Sequence, residues 1–279
     1  MKNVRLSNGV MMPAIGFGVF QIPENETERA VNDAIEIGYR KFDTAAAYFN
    51  EEQLGNAIRQ SGIKREEFFI TTKLWVQDYE YDDALRAFDL SMKKLGLDYL
   101  DLYLMHKPYG NYYAAWRALE ELYAEGKIRA IGVSNYTADR LVDLVNYNKV
   151  VPAVNQVETN LVSQQTEVRT WMDKLGVQHM GYAPFGQGKI NEIYADEALQ
   201  YIAGRYHKTV RQVVLRFQIQ SDVVVIPKTT HIERMKENLE VFDFELLDNE
   251  MEILRALDKG QPLIGNPQNP DLVSSSIGW

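Results

Sequence analysis

The sequence predicts an α/β protein whose chain closes into a (β/α)8 TIM barrel, with an N-terminal β-hairpin and one extra helix before the last strand. Three observations support that fold. Eight short apolar runs alternate with longer stretches of helical period, no charge block or Ser/Pro linker interrupts them, and an Asn-Gly pair sits ahead of the first run. At about 150 residues per domain, 279 residues would make two, yet an α/β barrel commonly takes about 250 in one. The uninterrupted repeat predicts a single domain over 1–279, with the hairpin at 1–13 and a tail at 260–279.

Within Val4–Val10, Asn8-Gly9 separates two apolar-containing arms and predicts a type I′ turn, so that a hairpin plugs the barrel. The buried-strand candidates are Ala14–Val19, Arg40–Thr44, Phe68–Lys73, Tyr99–His106, Ala130–Ser134, Ala153–Val157, His179–Ala183 and Val223–Ile226. Between them, Tyr81–Gly96 carries Leu85, Phe88, Met92 and Leu95 at spacings of three and four, with Gly96 where a C′ glycine belongs. Weaker versions of that period predict helices over Thr27–Ile37, Glu51–Gln60, Tyr112–Glu125, Thr137–Tyr147, Gln164–Leu175, Asp196–Tyr206 and Thr230–Glu240, with Val210–Ile219 as the extra helix. A doubly wound open sheet usually has about five to seven strands, so eight repeats favour closure.

Composition narrows the chemistry. With 46% hydrophobic and 25% charged residues the chain can build a sizeable core, which excludes disorder and low-complexity classes. Thirty Lys and Arg against 39 Asp and Glu leave a net charge of −9, so a nucleic acid is not an expected partner. The absence of Cys excludes disulfides, thiolate nucleophiles and Cys-ligated metal centres, and redox chemistry would need a bound cofactor. Four His, at 106, 179, 207 and 231, show no ligand spacing, so no metal is expected. No apolar leader opens the chain and no stretch approaches about 18 apolar residues, so the expectation is a cytoplasmic monomer with no membrane partner.

In barrels of this kind chemistry gathers where strands end. The residues closing the eight runs are Gly16-Phe-Gly18, Asp43, Lys73, His106, Ser134-Asn135, Gln156, Tyr182 and Lys228. Singly each has an ordinary structural explanation, such as a helix cap, a snorkelling lysine or a packed tyrosine. Their coincidence at all eight ends points to a site. Tyr48 lies just beyond Asp43, and a tyrosine with a reference pKa of about 10 needs a neighbouring cation to stabilise its phenolate. Lys73 can be that cation, Asp43 can neutralise and orient the lysine, and a neutral His106 can hydrogen-bond a substrate carbonyl. The Asp43–Lys73 pair alone would be only a buried ion pair. Two other readings stay open: a Schiff-base lyase with Lys73 as nucleophile, and a non-catalytic nucleotide-binding barrel.

A second cluster follows the last strand. Thr230 and Glu233 have capping-box spacing, so a helix is expected to begin there, with Lys228 and Arg234 near its start. Such an end attracts phosphate. Gly16-Phe-Gly18, by contrast, is not a Rossmann fingerprint, so a dinucleotide would have to bind in a barrel.

Over almost its full length the chain resembles the aldo-keto reductases, on Gly38–Glu51, Ile131-Gly-Val-Ser-Asn135, Asn155-Gln156, Gly181-Tyr-Ala-Pro-Phe-Gly186 and Ile226-Pro-Lys228 with Arg234, Glu237 and Asn238. The resemblance implies NADPH-dependent reduction of aldehydes or ketones, with a small-molecule carbonyl substrate and NADP(H) as cofactor. By it, Asp43, Tyr48, Lys73 and His106 match the catalytic tetrad, with Tyr48 as general acid. Ser134, Asn135 and Gln156 match residues that hold the nicotinamide carboxamide, and Tyr182 matches the aromatic stacked under its ring. Phe185, Gly186 and Gln187 fall on the pyrophosphate-covering loop, Lys228, Thr229 and Arg234 on the grip for the 2′-phosphate, and Glu237 and Asn238 are further cofactor-binding residues. The family's His-Trp-Pro is here His106-Lys107-Pro108, and Phe20 stands where a Trp is often found. Phe20, Trp75 and Lys107 are therefore the expected substrate-pocket residues, the cation favouring anionic or polyhydroxylated carbonyls. A short loop after His106 and a short tail resemble the bacterial diketogluconate and methylglyoxal reductase group.

Overall fold

The computed structural model describes residues 2–277; Met1 of the expected hairpin and the last two positions of the expected tail lie outside the described residues. Strands β1 (Asn3–Arg5) and β2 (Met11–Pro13) pair antiparallel. They are followed by β3 (Phe17–Gly18), β4 (Lys41–Asp43), β5 (Phe69–Leu74), β6 (Leu102–Met105), β7 (Ile131–Ser134), β8 (Val154–Glu158), β9 (Gln178–Tyr182) and β10 (Val224–Val225), each parallel to the next in sequence order. A parallel bridge between Ile15 and Val225 joins the last strand to the segment entering the first. There Gly16 N–H donates to the Val225 carbonyl at 2.8 Å and Val225 N–H to the Ala14 carbonyl at 3.0 Å. The sheet is closed, as eight repeats predict.

Helices α1 (Glu24–Ile37), α2 (Glu51–Gln60), α3 (Tyr81–Leu95), α4 (Tyr112–Ala124), α5 (Ala138–Tyr147) and α6 (Thr166–Leu175) follow the strands in turn. After β9 come α7 (Glu197–Tyr206) and α8 (Val210–Gln220), the second being the expected extra helix. The remaining helices are α9 (Ile232–Leu239), α10 (Asp248–Arg255) and α11 (Pro270–Ile277). Among the described residues, no helix is long and apolar enough to cross a membrane.

Two apolar shells follow from strand periodicity. Phe42, Ile70, Tyr103 and Val133 pack outward against Val31, Leu54, Phe88 and Trp116 of the helices. Phe69, Leu102, Leu104, Val154 and Met180 fill the barrel, joined by Leu6 and Met12 of the hairpin. The Asn8 side-chain amide donates to the Arg129 carbonyl at 2.9 Å, just ahead of β7, which puts the hairpin plug at the N-terminal ends of the strands.

Three local expectations are corrected. The hairpin turn is not type I′: Gly9 N–H bonds the Leu6 carbonyl at 2.8 Å, so Ser7-Asn8 forms the centre of the turn and Gly9, at φ 88°, alone takes the left-handed conformation. The capping box at Thr230 and Glu233 does not form, and α9 starts at Ile232. Thr229 turns inward instead, its hydroxyl accepting the His231 N–H at 3.2 Å and competing with a cap one residue later. Helices α10 and α11 lie where no helix was expected. At α10, Leu247 occupies the cap position, and only Glu250 reaches back to its N–H, at 2.8 Å.

Candidate active site

The period of two that sends Phe42, Ile70 and Leu74 outward turns Asp43 and Lys73 into the barrel near the C-terminal ends of β4 and β5. The Lys73 ammonium, with no exposed side-chain surface, donates to Asp43 Oδ1 at 2.5 Å, to the Thr44 carbonyl at 2.8 Å and to the Tyr48 hydroxyl at 3.5 Å. Tyr48 is carried on a single 3-10 turn, Ala46–Tyr48, which ends at Phe49 with φ 57°. His106 follows β6, and its N–H donates to the Leu74 carbonyl at 3.0 Å. The rings of Tyr48 and His106 meet edge-on at 5.6 Å between centroids, with Trp75 against His106 at 5.0 Å and Phe20 against Tyr48 at 4.8 Å.

Burial, and after it the Asp43 carboxylate, push the Tyr48 hydroxyl well above the usual tyrosine range. In the resting site burial thus outweighs the stabilisation of the phenolate expected from Lys73. Asp43 lies at 2.5 Å from the ammonium and Tyr48 at 3.5 Å, so the nearer carboxylate neutralises the cation first. Burial lowers Lys73, and Asp43 opposes the shift. Burial, then Lys73 and Lys107, hold His106 well below the usual histidine range, and its buried Nδ1 makes no hydrogen bond. At neutral pH the site therefore presents a protonated tyrosine and an uncharged imidazole.

A second group is hydrogen-bonded together beside these four. Ser134 Oγ donates to the Gln156 carbonyl at 2.8 Å, and Asn135 Nδ2 donates to the His106 carbonyl at 3.0 Å. Tyr182 Oη donates to Asn135 Oδ1 at 2.8 Å, and Gln156 Nε2 to Asp43 Oδ2 at 2.7 Å. Asn135 makes these bonds from φ 64°, a left-handed conformation that asparagine tolerates better than most residues.

These side chains wall a cavity of about 660 Å3 that includes Phe20, Asp43, Tyr48, Trp75, His106, Lys107, Ser134, Asn135, Gln156, Tyr182, Phe185, Gln187 and Lys228. Phe185 and Lys228 also border a smaller cavity of about 180 Å3, lined by Thr229, Arg234, Glu237 and Asn238. Of the residues expected at the site, Lys73 lies behind the wall and Gly186 lines neither cavity. Gly186 instead holds φ 61° in the turn that carries Gln187, and a Cβ there would come within 2.8 Å of Ile190.

Several wall residues were not expected. Arg211 of α8 borders the smaller cavity, its guanidinium over the Phe185 ring at 5.8 Å. Ile264, Leu272, Ser275 and Ser276 bring the tail over the larger one. Buried Glu158 holds that tail, accepting the Leu263 and Ile264 N–H groups at 2.8 and 2.9 Å, and Tyr109 donates to the Pro267 carbonyl at 2.8 Å. The signal for this is a buried carboxylate at the end of β8, which says that something accepts its charge but not which of the following 120-odd residues does so.

A family model described as the aldo/keto reductase family matches residues 5–259. The chain is 45% identical over 266 residues to the glyoxal reductase of Bacillus subtilis, covering 95% of each protein. It is 39% identical over 268 residues to the methylglyoxal reductase of Yersinia pestis, covering 95% of this chain and 96% of that one. The crystal structure of an aldo-keto reductase from a Medee basin deep-sea metagenome library superposes with a TM-score of 0.93 at 42% identity, covering 95% and 98% of the two chains. That of the Bombyx mori aldo-keto reductase in complex with NADP does so with a TM-score of 0.90 at 34% identity, covering 95% of each.

Proposed function

Because the chain belongs to the aldo/keto reductase family, and is an oxidoreductase of carbonyl and alcohol groups, we propose that it reduces small aldehydes and ketones with NADPH, Tyr48 protonating the carbonyl oxygen. The observation that carries this reading is the position of Tyr48: its hydroxyl touches the Asp43–Lys73 pair on one side while the residue walls the same cavity as His106 and Tyr182. A protonated tyrosine is the acid that a developing alkoxide needs, and Lys73 stabilises the phenolate left behind. Neutral His106 orients the carbonyl oxygen beside the hydroxyl. The relatives named for glyoxal and methylglyoxal reduction support a small carbonyl substrate.

The cofactor reading rests on groups without partners. Lys228 and Arg234 border the smaller cavity and form no ion pair with any described residue. A 2′-phosphate placed there would meet two cations and the Thr229 hydroxyl, while Phe185 and Gln187 would cover the pyrophosphate and Tyr182, Ser134, Asn135 and Gln156 the nicotinamide. The complex of the Bombyx mori relative with NADP supports this choice. When bound, the reduced nicotinamide supplies the hydride. The Schiff-base alternative needs an accessible amine, whereas Lys73 is buried and its ammonium is taken up by three acceptors. Following NADPH absorbance at 340 nm over a panel of aldehydes, ketones and dicarbonyls tests the proposal; no consumption with any of them overturns it.

A further inference from the structure

We infer that the preferred substrates of this site are carbonyl compounds that bear a carboxylate, and that Lys107 receives it. The inference rests on the reductase reading and sets the substrate class within it. Lys107 follows His106 directly and borders the same cavity. Its backbone is clamped on both sides by one buried side chain: the Tyr79 hydroxyl accepts the Lys107 N–H at 3.1 Å and donates to the Lys107 carbonyl at 2.8 Å. With Pro108 next, the residue is fixed at the cavity wall.

The ammonium of Lys107 has no hydrogen bond or ion pair among the described residues. Among the described residues, Asp43 is the single acidic one bordering the cavity, and its two oxygens are taken by Lys73 and Gln156. Lys228, the other cation of the wall among the described residues, also lines the smaller cavity, together with Arg234. On a chain of net charge −9, the substrate end of the cavity thus carries one uncompensated positive charge. Burial lowers Lys107 and no acidic neighbour raises it, the state of a cation waiting for a counter-ion. Around it, Phe20, Trp75, Ile264 and Leu272 supply apolar wall, which strengthens an ion pair formed there. A polyhydroxylated neutral substrate would leave that charge unpaired, so the structure favours the anion.

The experiment compares matched pairs, succinic semialdehyde with butanal and 4-carboxybenzaldehyde with 4-methylbenzaldehyde, with NADPH in excess. For the wild type kcat/KM is expected to favour the carboxylate of each pair by about tenfold or more, the worth of one charge-assisted contact. Added KCl should shrink that ratio. Lys107→Met should bring the ratio near one, and Lys107→Arg should restore most of it. A wild-type ratio of one or less, or a ratio that neither salt nor Lys107→Met changes, overturns the inference. Reduction of neutral aldehydes without preference leaves the reductase reading standing and removes this one alone; no NADPH oxidation by either member of any pair removes both.

Discussion

Gln156 Nε2 donates to Asp43 Oδ2 at 2.7 Å across 113 residues of chain, while the other Asp43 oxygen holds Lys73 at 2.5 Å. A glutamine on β8 thus locks a carboxylate on β4, which in turn locks the lysine that touches Tyr48. The charge at the site is set by this chain of contacts rather than by Lys73 alone. Both Asp43 oxygens are occupied by these contacts, and burial of Tyr48, with the Asp43 carboxylate second, keeps the tyrosine proton in place.

Tyr48→Phe removes the proposed acid and keeps the ring that packs on Phe20. Turnover should fall by about 10²–10⁴, the usual contribution of a general acid, with NADPH affinity near that of the wild type. Stopped-flow turnover and quenching of tryptophan fluorescence measure the two separately. Retention of most of the wild-type rate on every active substrate would show that the proton comes from elsewhere.

Arg234→Ala should weaken NADPH binding by roughly tenfold or more and leave NADH binding little changed. A charge-assisted contact is worth about 1.5–3 kcal/mol, and about 1.4 kcal/mol is a factor of ten. Arg234 is exposed and unpaired, so screening reduces the gain toward the lower figure. Titration of both cofactors decides the matter: equal losses would mean that the guanidinium does not read the 2′-phosphate.

Lys41 is fully buried inside the barrel, and its ammonium makes no hydrogen bond, only a contact over the Phe69 ring at 4.9 Å. Burial lowers it from 10.5 to about 8. Between those pH values the unfolded chain holds a proton that the fold releases, so stability should rise with pH across that window. Below it the buried charge costs on the order of 3 kcal/mol. Lys41→Met should therefore raise stability at pH 7 by about 1–3 kcal/mol and flatten the alkaline rise, as read by urea unfolding. Lower stability of the variant at pH 7 would contradict this.

His179 is buried, shares a hydrogen bond of 2.8 Å with Thr159 Oγ1, and is lowered by burial, then Arg169, from 6.5 to about 3. The unfolded chain takes up a proton below about 6.5 that the fold refuses until pH falls to about 3. This contribution to stability is complete above 6.5 and declines as the pH drops, by about 1.4 kcal/mol per unit. His179→Gln, which does not titrate, should unfold less steeply than the wild type between pH 6.5 and 4. Parallel curves would place the acid sensitivity at other groups, His106 first among them.

The number of repeats, the closure of the barrel and the polar residue at each strand end are legible in the sequence, because each depends on alternation, capping or turn chemistry within about a dozen residues. Asp43, Lys73 and His106 could be named as neighbours from strand ends alone. What they do to one another is decided only by the tertiary structure. How firmly Tyr48 holds its proton turns on its burial and on the Asp43 carboxylate that closes on Lys73, and no spacing in the chain encodes either. The roof of the cavity is likewise invisible locally, since Leu272 and Ser276 reach it through anchors at Glu158 and Tyr109, each more than 100 residues away. Local pattern fixes which side chains face inward, because backbone geometry has a short period. Proton affinity and cavity shape depend on burial and on distances between remote segments, which exist only once the chain has closed.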